Sequence, residues 1–482
     1  FKSKNKVKFL FFILCSHIMG VLRSLIFLQL VYMTLCMDQL DIKYEWTELD
    51  YAFETPAARE QALEMKTFIP ENNIPMGIEI YEDRMFITVP RWRSGVPSTL
   101  NYINLKGLIP YPSWAAHMPG EAGKPAEIIS PFRVRADRCG RLWILDSGKM
   151  SSTDQNATRY SPAIIVYDLK TDKPLRRYDF PKDQVKEDSG FANIVVEDFD
   201  CDKAFAYAGD VGKAGIVVYS WEKNESWRVT HHHFNIDPTA CDFNVKGYNF
   251  SWTDSIFGLG LSAPNAENYS TLYFHPMSSY NEFSISTEYL RNASLASTLS
   301  TENFNASKLL GNRGPNAQSS VSFLDPKTGV LFYSLVNLNA VACWRTSNKD
   351  YTMENQGRIY MSNETMVYAS DIKVDYDDNL WILSNRLPIW MYGKLNNADV
   401  NFRIFSAPVV KAISHTTCDI TPRFDILHKF VNKVNNVTDK LTNTIVDKFN
   451  SLKSNKSNDN SSSNKLTSFS IITLLCLFVF TY

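Results

Sequence analysis

Apolar positions in this chain fall in short runs separated by polar turns, not in long helical stripes. Two runs match by eye: Asp137-Arg-Cys-Gly-Arg-Leu-Trp-Ile-Leu-Asp146 and Asp375-Tyr-Asp-Asp-Asn-Leu-Trp-Ile-Leu-Ser384. Each places an apolar strand, an acidic turn and a Leu-Trp-Ile-Leu strand in succession, the pattern of a β-hairpin. The plan recurs, more diverged, over Ile78–Val89 and over Ile194–Tyr207, through the turn Asp198–Asp202. It recurs again over Leu259–Phe274, with a turn at Asn265–Asn268, and over Val321–Tyr333, with a turn at Asp325–Gly329.

The repeats start near residues 78, 134, 194, 259, 321 and 372, a period of about 50 to 65 residues. That is room for four short strands and their turns. Third strands are visible at equivalent offsets in Ala163–Asp168 and Gly215–Ser220. One such sheet buries little alone, and a ring buries both faces of each while protecting the edges. The pattern therefore predicts an all-β chain, a six-bladed β-propeller over residues 38–420, with the fourth repeat the most diverged. The segment Tyr44–Phe53 precedes the first repeat and is expected to supply the outer strand of the last blade, latching the ring.

Both ends differ from this pattern. Residues 1–37 read as a signal-peptide region with its start at Met19: a basic residue, Arg23, an apolar run Leu25–Leu35, and small residues at Thr34 and Cys36. An uncleaved anchor is the alternative, although the run is shorter than the roughly 20 residues that span a bilayer. After residue 420, Leu427, Val431, Val434, Leu441, Ile445, Phe449 and Leu452 recur at mostly three- and four-residue steps, predicting an amphipathic helix. That helix and a Ser/Asn-rich stretch form a stalk over 421–465. The apolar tail 466–482, behind the small residues Asn460, Ser461 and Ser462, fits a GPI-attachment signal. A tail anchor and an unprocessed secreted tail are the other readings.

Composition adds three points. A net charge of −1 with no basic block gives no footprint for nucleic acid, and leaves a membrane reachable only through the C-terminal anchor. An aromatic share of 13% suits strands and ring-binding surfaces. Sequons at Asn156, Asn224, Asn249, Asn268, Asn292, Asn305, Asn363 and Asn436 predict a glycosylated, secreted chain.

The motifs are also familiar as a set. Trp46-Thr-Glu-Leu-Asp50, Phe68-Ile-Pro-Glu-Asn-Asn-Ile-Pro-Met-Gly77, Val89-Pro-Arg-Trp-Arg-Ser-Gly-Val-Pro97 and Leu108-Ile-Pro-Tyr-Pro112 resemble the yellow / major royal jelly protein family of insects. So do Arg141-Leu-Trp-Ile-Leu-Asp-Ser-Gly148, Asn339-Ala-Val-Ala-Cys-Trp344 and Asp378-Asn-Leu-Trp-Ile-Leu-Ser-Asn-Arg386. The resemblance runs from about Tyr44 to Ile420 and implies a six-bladed propeller, in agreement with the repeats. It also implies a role in cuticle pigmentation or the melanin pathway. Some relatives convert dopachrome and others bind biogenic amines. The stalk and tail after Pro422 depart from that pattern.

In a propeller the innermost strands line an axial channel, and ligands gather at its mouth. Aligning the repeats puts Gly77, Arg133, Asn193, Gly258, Ser320 and Asp371 at one level. Arg133, Asn193, Ser320 and Asp371 are the candidate ligand-binding residues, one cation and one anion among them suiting an aromatic amine or catechol. Pairing between Arg133 and Asp371 is the plainer alternative. Asn72, Asn73, Asn337, Asn385 and Arg386 are second-rank candidates. Hydrolase, zinc-protease and phosphate-loop motifs are missing from the sequence, and no cofactor is expected. On a strand His231-His232-His233 would point to opposite faces, so no shared metal ion is expected, and a solvated turn is the favoured reading. Asp198, Asp200 and Asp202 read as a turn before a calcium loop. Equivalent turns of adjacent blades carry Cys139 and Cys201, the first expected disulfide. Cys241–Cys343 is the second, leaving Cys418 unpaired. Three functions stay open: an aromatic-amine binder in the pigment pathway, a dopachrome-converting isomerase, and a cell-surface interaction protein.

Overall fold

The computed structural model describes residues 39–421, apart from 121–123, 151–157, 297–300 and 349. The expected signal peptide, the stalk from residue 422, the apolar tail, Asn156 and Asn436 lie outside the described residues.

Six four-stranded antiparallel sheets follow one another along the chain. Their innermost strands are Gly77–Tyr81, Pro131–Ala136, Phe191–Glu197, Ile256–Leu261, Ser322–Asp325 and Tyr368–Val374, in blades 1 to 6. Blades 1, 3, 4 and 5 are each built from consecutive strands, and in blade 2 a separate hairpin, Lys149–Met150 with Thr158–Arg159, intervenes between the second strand and the third. Blade 6 takes its fourth strand from the other end of the chain: Asp41–Trp46 pairs antiparallel with Phe402–Pro408, Asp41 opposite Ser406 and Trp46 opposite Phe402. The latch is thus present, a few residues earlier than the sequence suggested. Arg403 Nε meets Glu45 Oε1 at 2.8 Å and Lys411 Nζ meets Asp41 Oδ1 at 3.2 Å across it.

The Leu-Trp-Ile-Leu hairpins owe their resemblance to one interaction. Trp143 Nε1 donates to Asp137 Oδ2 at 2.8 Å, and Trp381 Nε1 donates to Asp375 Oδ2 at 2.6 Å. The other carboxylate oxygen accepts the turn amides of Cys139 and Arg141 in blade 2, and of Asp377 and Asn379 in blade 6. An aspartate six residues before a tryptophan therefore closes the turn and satisfies the buried indole together.

Alternation along the strands builds the core between blades. In Ala163–Asp168, Ile165 and Tyr167 pack with Phe86 and Leu100 of blade 1, whereas Ile164 and Val166 pack with Ile194, Ala206 and Ala208 of blade 3. The divergence of the fourth repeat also has a cause. Short helices at Thr287–Arg291, Ala293–Ala296 and Thr301–Ala306 separate its third strand, Asn281–Ser286, from its fourth, Ser307–Asn312.

Disulfides join Cys139 to Cys201 and Cys343 to Cys418. The first connects the hairpin turns of blades 2 and 3, where the repeat alignment put it. The second corrects the pairing of Cys241 with Cys343. Cys343 faces blade 6 in a cluster with Ala412, Ile413 and Cys418, which follow the last strand. Cys241 is a free thiol in the link between blades 3 and 4. Position 418 lies beyond the last repeat, so blade alignment could not place it. The acidic turn is likewise occupied by local bonds: Asp198 accepts the Arg138 amide and Asp200 caps the turn Cys201–Lys203.

Gly258 marks the tightest approach in an innermost strand. A Cβ there would sit 2.1 Å from the buried His275 ring. Gly258→Ala is expected to destabilise by about 1–3 kcal/mol through overpacking. Cys418→Ser should cost about 2–4 kcal/mol, whereas Cys241→Ser leaves the midpoint unchanged. Denaturant unfolding of the three variants beside the parent measures all of these.

Candidate functional site

The four candidate residues do meet at the axis, and their polar groups are used on one another and on the main chain. Arg133 Nη2 donates to the carbonyl of Ser320 (2.9 Å), in the chain entering blade 5, and to that of Ser370 (2.5 Å), in the innermost strand of blade 6. Its Nη1 reaches the Phe257 carbonyl of blade 4 at 3.5 Å, and its Nε lies 3.4 Å from Asp371 Oδ1. Asn193 Nδ2 donates to that same Phe257 carbonyl at 2.9 Å. Ser320 Oγ donates to Ala369 O, and Asp371 Oδ2 accepts the Ile78 amide of blade 1. The Arg133 and Asp371 side chains are 1% and 0% exposed. Together they form a crossbar through the channel. Burial draws the Arg133 guanidinium down from its usual range, with Asp371 opposing.

Further charges fill the channel beyond the crossbar. Lys373 Nζ contacts both oxygens of Asp371 at 2.8 and 2.9 Å, and Arg135 Nη1 meets Glu79 Oε1 at 3.2 Å. Burial pushes Glu79 up and Lys373 down, each opposed by its partner's charge. The two glycines at this level exclude side chains: a Cβ on Gly77 would meet the Phe132 carbonyl at 2.6 Å. The second-rank residues hold loops. Asn72 donates to Ser94 O, Asn73 to Ile69 O, Asn385 to Pro75 O, and Asn337 to Gln318 Oε1, while Arg386 pairs with Asp399.

An accessible pocket lies one layer nearer the mouth and has a volume of about 210 Å³. Phe132, Ala192 and Phe257, each one residue before a member of the crossbar level, line it, with Tyr368 of blade 6. The offset has a structural cause. The innermost strands of blades 2, 3, 4 and 6 carry bulges between Pro131 and Val134, Phe191 and Asn193, Ile256 and Gly258, and Ala369 and Asp371. A bulge turns two successive residues toward the axis region, so blades 2, 3 and 4 each contribute a residue to both layers. Phe132 and Phe257 meet edge to face at 5.7 Å, and the Arg133 guanidinium lies 5.5 and 5.3 Å from their ring centres. The crossbar cation thus underlies the aromatic floor of the pocket.

Loops and a short helix complete the walls. Trp92 packs on Phe132 at 5.3 Å, and Trp252 meets Tyr368 edge to face at 6.1 Å. The helix Leu387–Tyr392 adds Leu387 and Met391, and Trp252 Nε1 donates to Tyr392 Oη, tying the loop to the helix. Three polar side chains line the pocket. Ser147 Oγ is committed to the Ser130 carbonyl. Lys149 and Asp254 are the charged pair. The Asp254 carboxylate accepts no hydrogen bond from the described residues. Burial among these walls pushes it up to about 6, with the charge of Lys149 pulling the other way. Burial in turn draws the Lys149 ammonium down. The sequence signal for this pair was slight: one acid closing the aromatic run Phe250-Ser-Trp-Thr-Asp254, and one lysine after a repeat's second strand.

The histidine triplet lies in a turn, as the favoured sequence reading has it. His232–Phe234 form a single 3-10 turn capped by His231, so the alternation of a strand does not apply and the three rings converge.

Residues 129–418 match the family described as major royal jelly protein. The chain is 40% identical over 394 residues to "Dopaminechrome tautomerase" of Drosophila melanogaster, covering 79% of this chain and 84% of the relative. It is 38% identical over 392 residues to "Protein yellow" of Drosophila subobscura, covering 79% and 68%. "Protein yellow" of Drosophila melanogaster is 37% identical, with 79% and 71% covered. A chain with this ring, these hairpins and this extent of identity belongs to the yellow / major royal jelly protein family.

Proposed function

We propose that the mouth pocket binds an aromatic molecule derived from a catecholamine, and that the protein acts on it in the pigment pathway as a tautomerase. The observation that carries this reading is Asp254, a carboxylate in an aromatic pocket that accepts no hydrogen bond from the described residues and is poised near neutrality. The pocket is smaller than the ~300–1,000 Å³ usual for drug-sized ligands, which suits one fused bicyclic ring. Facing tryptophan and phenylalanine rings favour a flat, electron-poor or cationic guest.

Tautomerisation of an aminochrome moves protons without net oxidation. One C–H proton leaves each of the two saturated carbons of the five-membered ring, one proton joins each quinonoid oxygen, and the product is a dihydroxyindole. Ionised Asp254 takes the first proton, and the Lys149 ammonium faces the developing charge on oxygen. A base with a pKa near the working pH is the efficient choice for such a step. The likeness to a relative named for dopaminechrome supports this substrate class. Secretion is supported by the two disulfides and by Asn224, Asn249, Asn268, Asn292, Asn305 and Asn363, which are all exposed.

Asp254→Asn is expected to lower kcat/KM for dopaminechrome by about 10²–10⁴-fold, and the parent rate should rise with pH through about 6. Absorbance decay of dopaminechrome, corrected for the spontaneous reaction, measures both. Equal rates for parent and variant would overturn the tautomerase reading; binding heat without rate gain would leave an amine or catechol carrier in its place.

The same substitution makes a second prediction. The folded-state pKa of Asp254 lies above the unfolded value of about 3.9, so the folded chain binds this proton more tightly. Its contribution to stability is present at low pH and lost as pH rises through about 6. Asp254→Asn should therefore raise the melting temperature at pH 7.5 and give no gain at pH 4, in calorimetry at the two pH values.

A further inference from the structure

We propose that His231, His232 and His233 form a site for a divalent transition-metal ion of the copper and zinc class. Neighbouring rings lie 4.1 Å apart, and the outer two 4.8 Å. One imidazole nitrogen from each residue lies within 4.8 Å of the other two. The cluster contains no carboxylate or thiolate, and an imidazole-only donor set selects copper, zinc or nickel over calcium or magnesium.

The rings are held from behind. His231 Nδ1 accepts the His233 amide at 3.1 Å, and its Nε2 lies 3.2 Å from the Phe304 carbonyl. His233 Nδ1 lies 2.9 Å from Ser307 Oγ. With the proton on Nδ1 and donated to Ser307, the His233 Nε2 lone pair is left for an ion. A partner on the far nitrogen is the usual support for a metal-bound histidine. His233 also stacks on Phe283 at 4.5 Å, and His232 stacks on Phe304 at 4.6 Å. His232 and His233 supply two ligands directly. His231 supplies the third by exchanging its contact with the Phe304 carbonyl for the ion.

The test uses the full chain without a histidine tag. Calorimetric titration with Cu(II) and with Zn(II) should show saturable one-to-one binding. Ser307→Ala should weaken it about tenfold, and His233→Ala by more. Electron paramagnetic resonance of the copper-loaded parent should show splitting from at least two imidazole nitrogens, a readout that needs no variant. Absence of saturable binding, a spectrum with fewer than two nitrogen ligands, or unchanged affinity in His233→Ala would each overturn the site.

Discussion

One guanidinium at the axis ties half the ring together. Arg133 starts on blade 2 and ends among the carbonyls of Phe257, Ser320 and Ser370, beside the carboxylate of Asp371. Those acceptors belong to the innermost chains of blades 4, 5 and 6. Asp371 in turn holds the Ile78 amide of blade 1, and Asn193 of blade 3 shares the Phe257 carbonyl. All six blades are therefore represented in one buried network. Apolar packing between neighbours makes each blade adhere to the next, and it is non-directional. The crossbar adds direction, because a planar guanidinium satisfied by fixed carbonyls tolerates little displacement. Removing one partner from such a buried network strands the others.

The crossbar also sets the electrostatics of the mouth. With Asp371 answered by Arg133 and Lys373, and Glu79 by Arg135, the channel charges are consumed internally. Among them, only the Arg133 cation touches the pocket, and it does so through the faces of Phe132 and Phe257. The pocket is left with aromatic surface, Lys149 and one acid, Asp254, that accepts no hydrogen bond from the described residues. That separation, a committed polar layer under an uncommitted aromatic one, lets a small guest meet Asp254 without competing with the groups that hold the blades.

The architecture was legible because one hydrogen bond writes itself into sequence. An aspartate that caps its own turn and also receives an indole N–H needs Trp six residues on, and Asp137 with Trp143 and Asp375 with Trp381 repeat that spacing. Ring closure and the Cys139–Cys201 bridge followed from aligning such hairpins. The alignment failed where its premise of one residue per position failed. Bulges at Phe191–Asn193 and Ile256–Gly258 give a repeat two axial layers, and period-2 reasoning selects only one. It selected the polar layer, whose members are structural in their bonding, and missed Phe132 and Phe257 directly before them. Asp254 and Lys149 lie on connections with no counterpart in other blades, and Cys418 lies after the last strand, so no repeat could point to them. The convergence of the three histidine rings was not legible for a related reason: strand alternation says nothing of side-chain directions in the turn where they sit.

The placement of Asp254 argues for use over structure. A carboxylate that only served the fold would be expected to find donors, as Asp146 does with the amides of Ile129, Ser130 and Gly148, or Asp210 with Gly190, Lys213 and Arg228. Both stand at the ends of second strands and fasten their own loops. Asp254 comes from the loop next to them, yet receives no such bond from the described residues, and burial raises its pKa. Leaving a half-buried acid unsatisfied costs stability, and strain of that kind concentrates at sites of binding or chemistry. The neighbouring charge that could relieve it, Lys149, is itself drawn down by burial. Acid and base are thus brought toward one another in pKa across an aromatic pocket, the condition under which a proton passes readily between them and a guest.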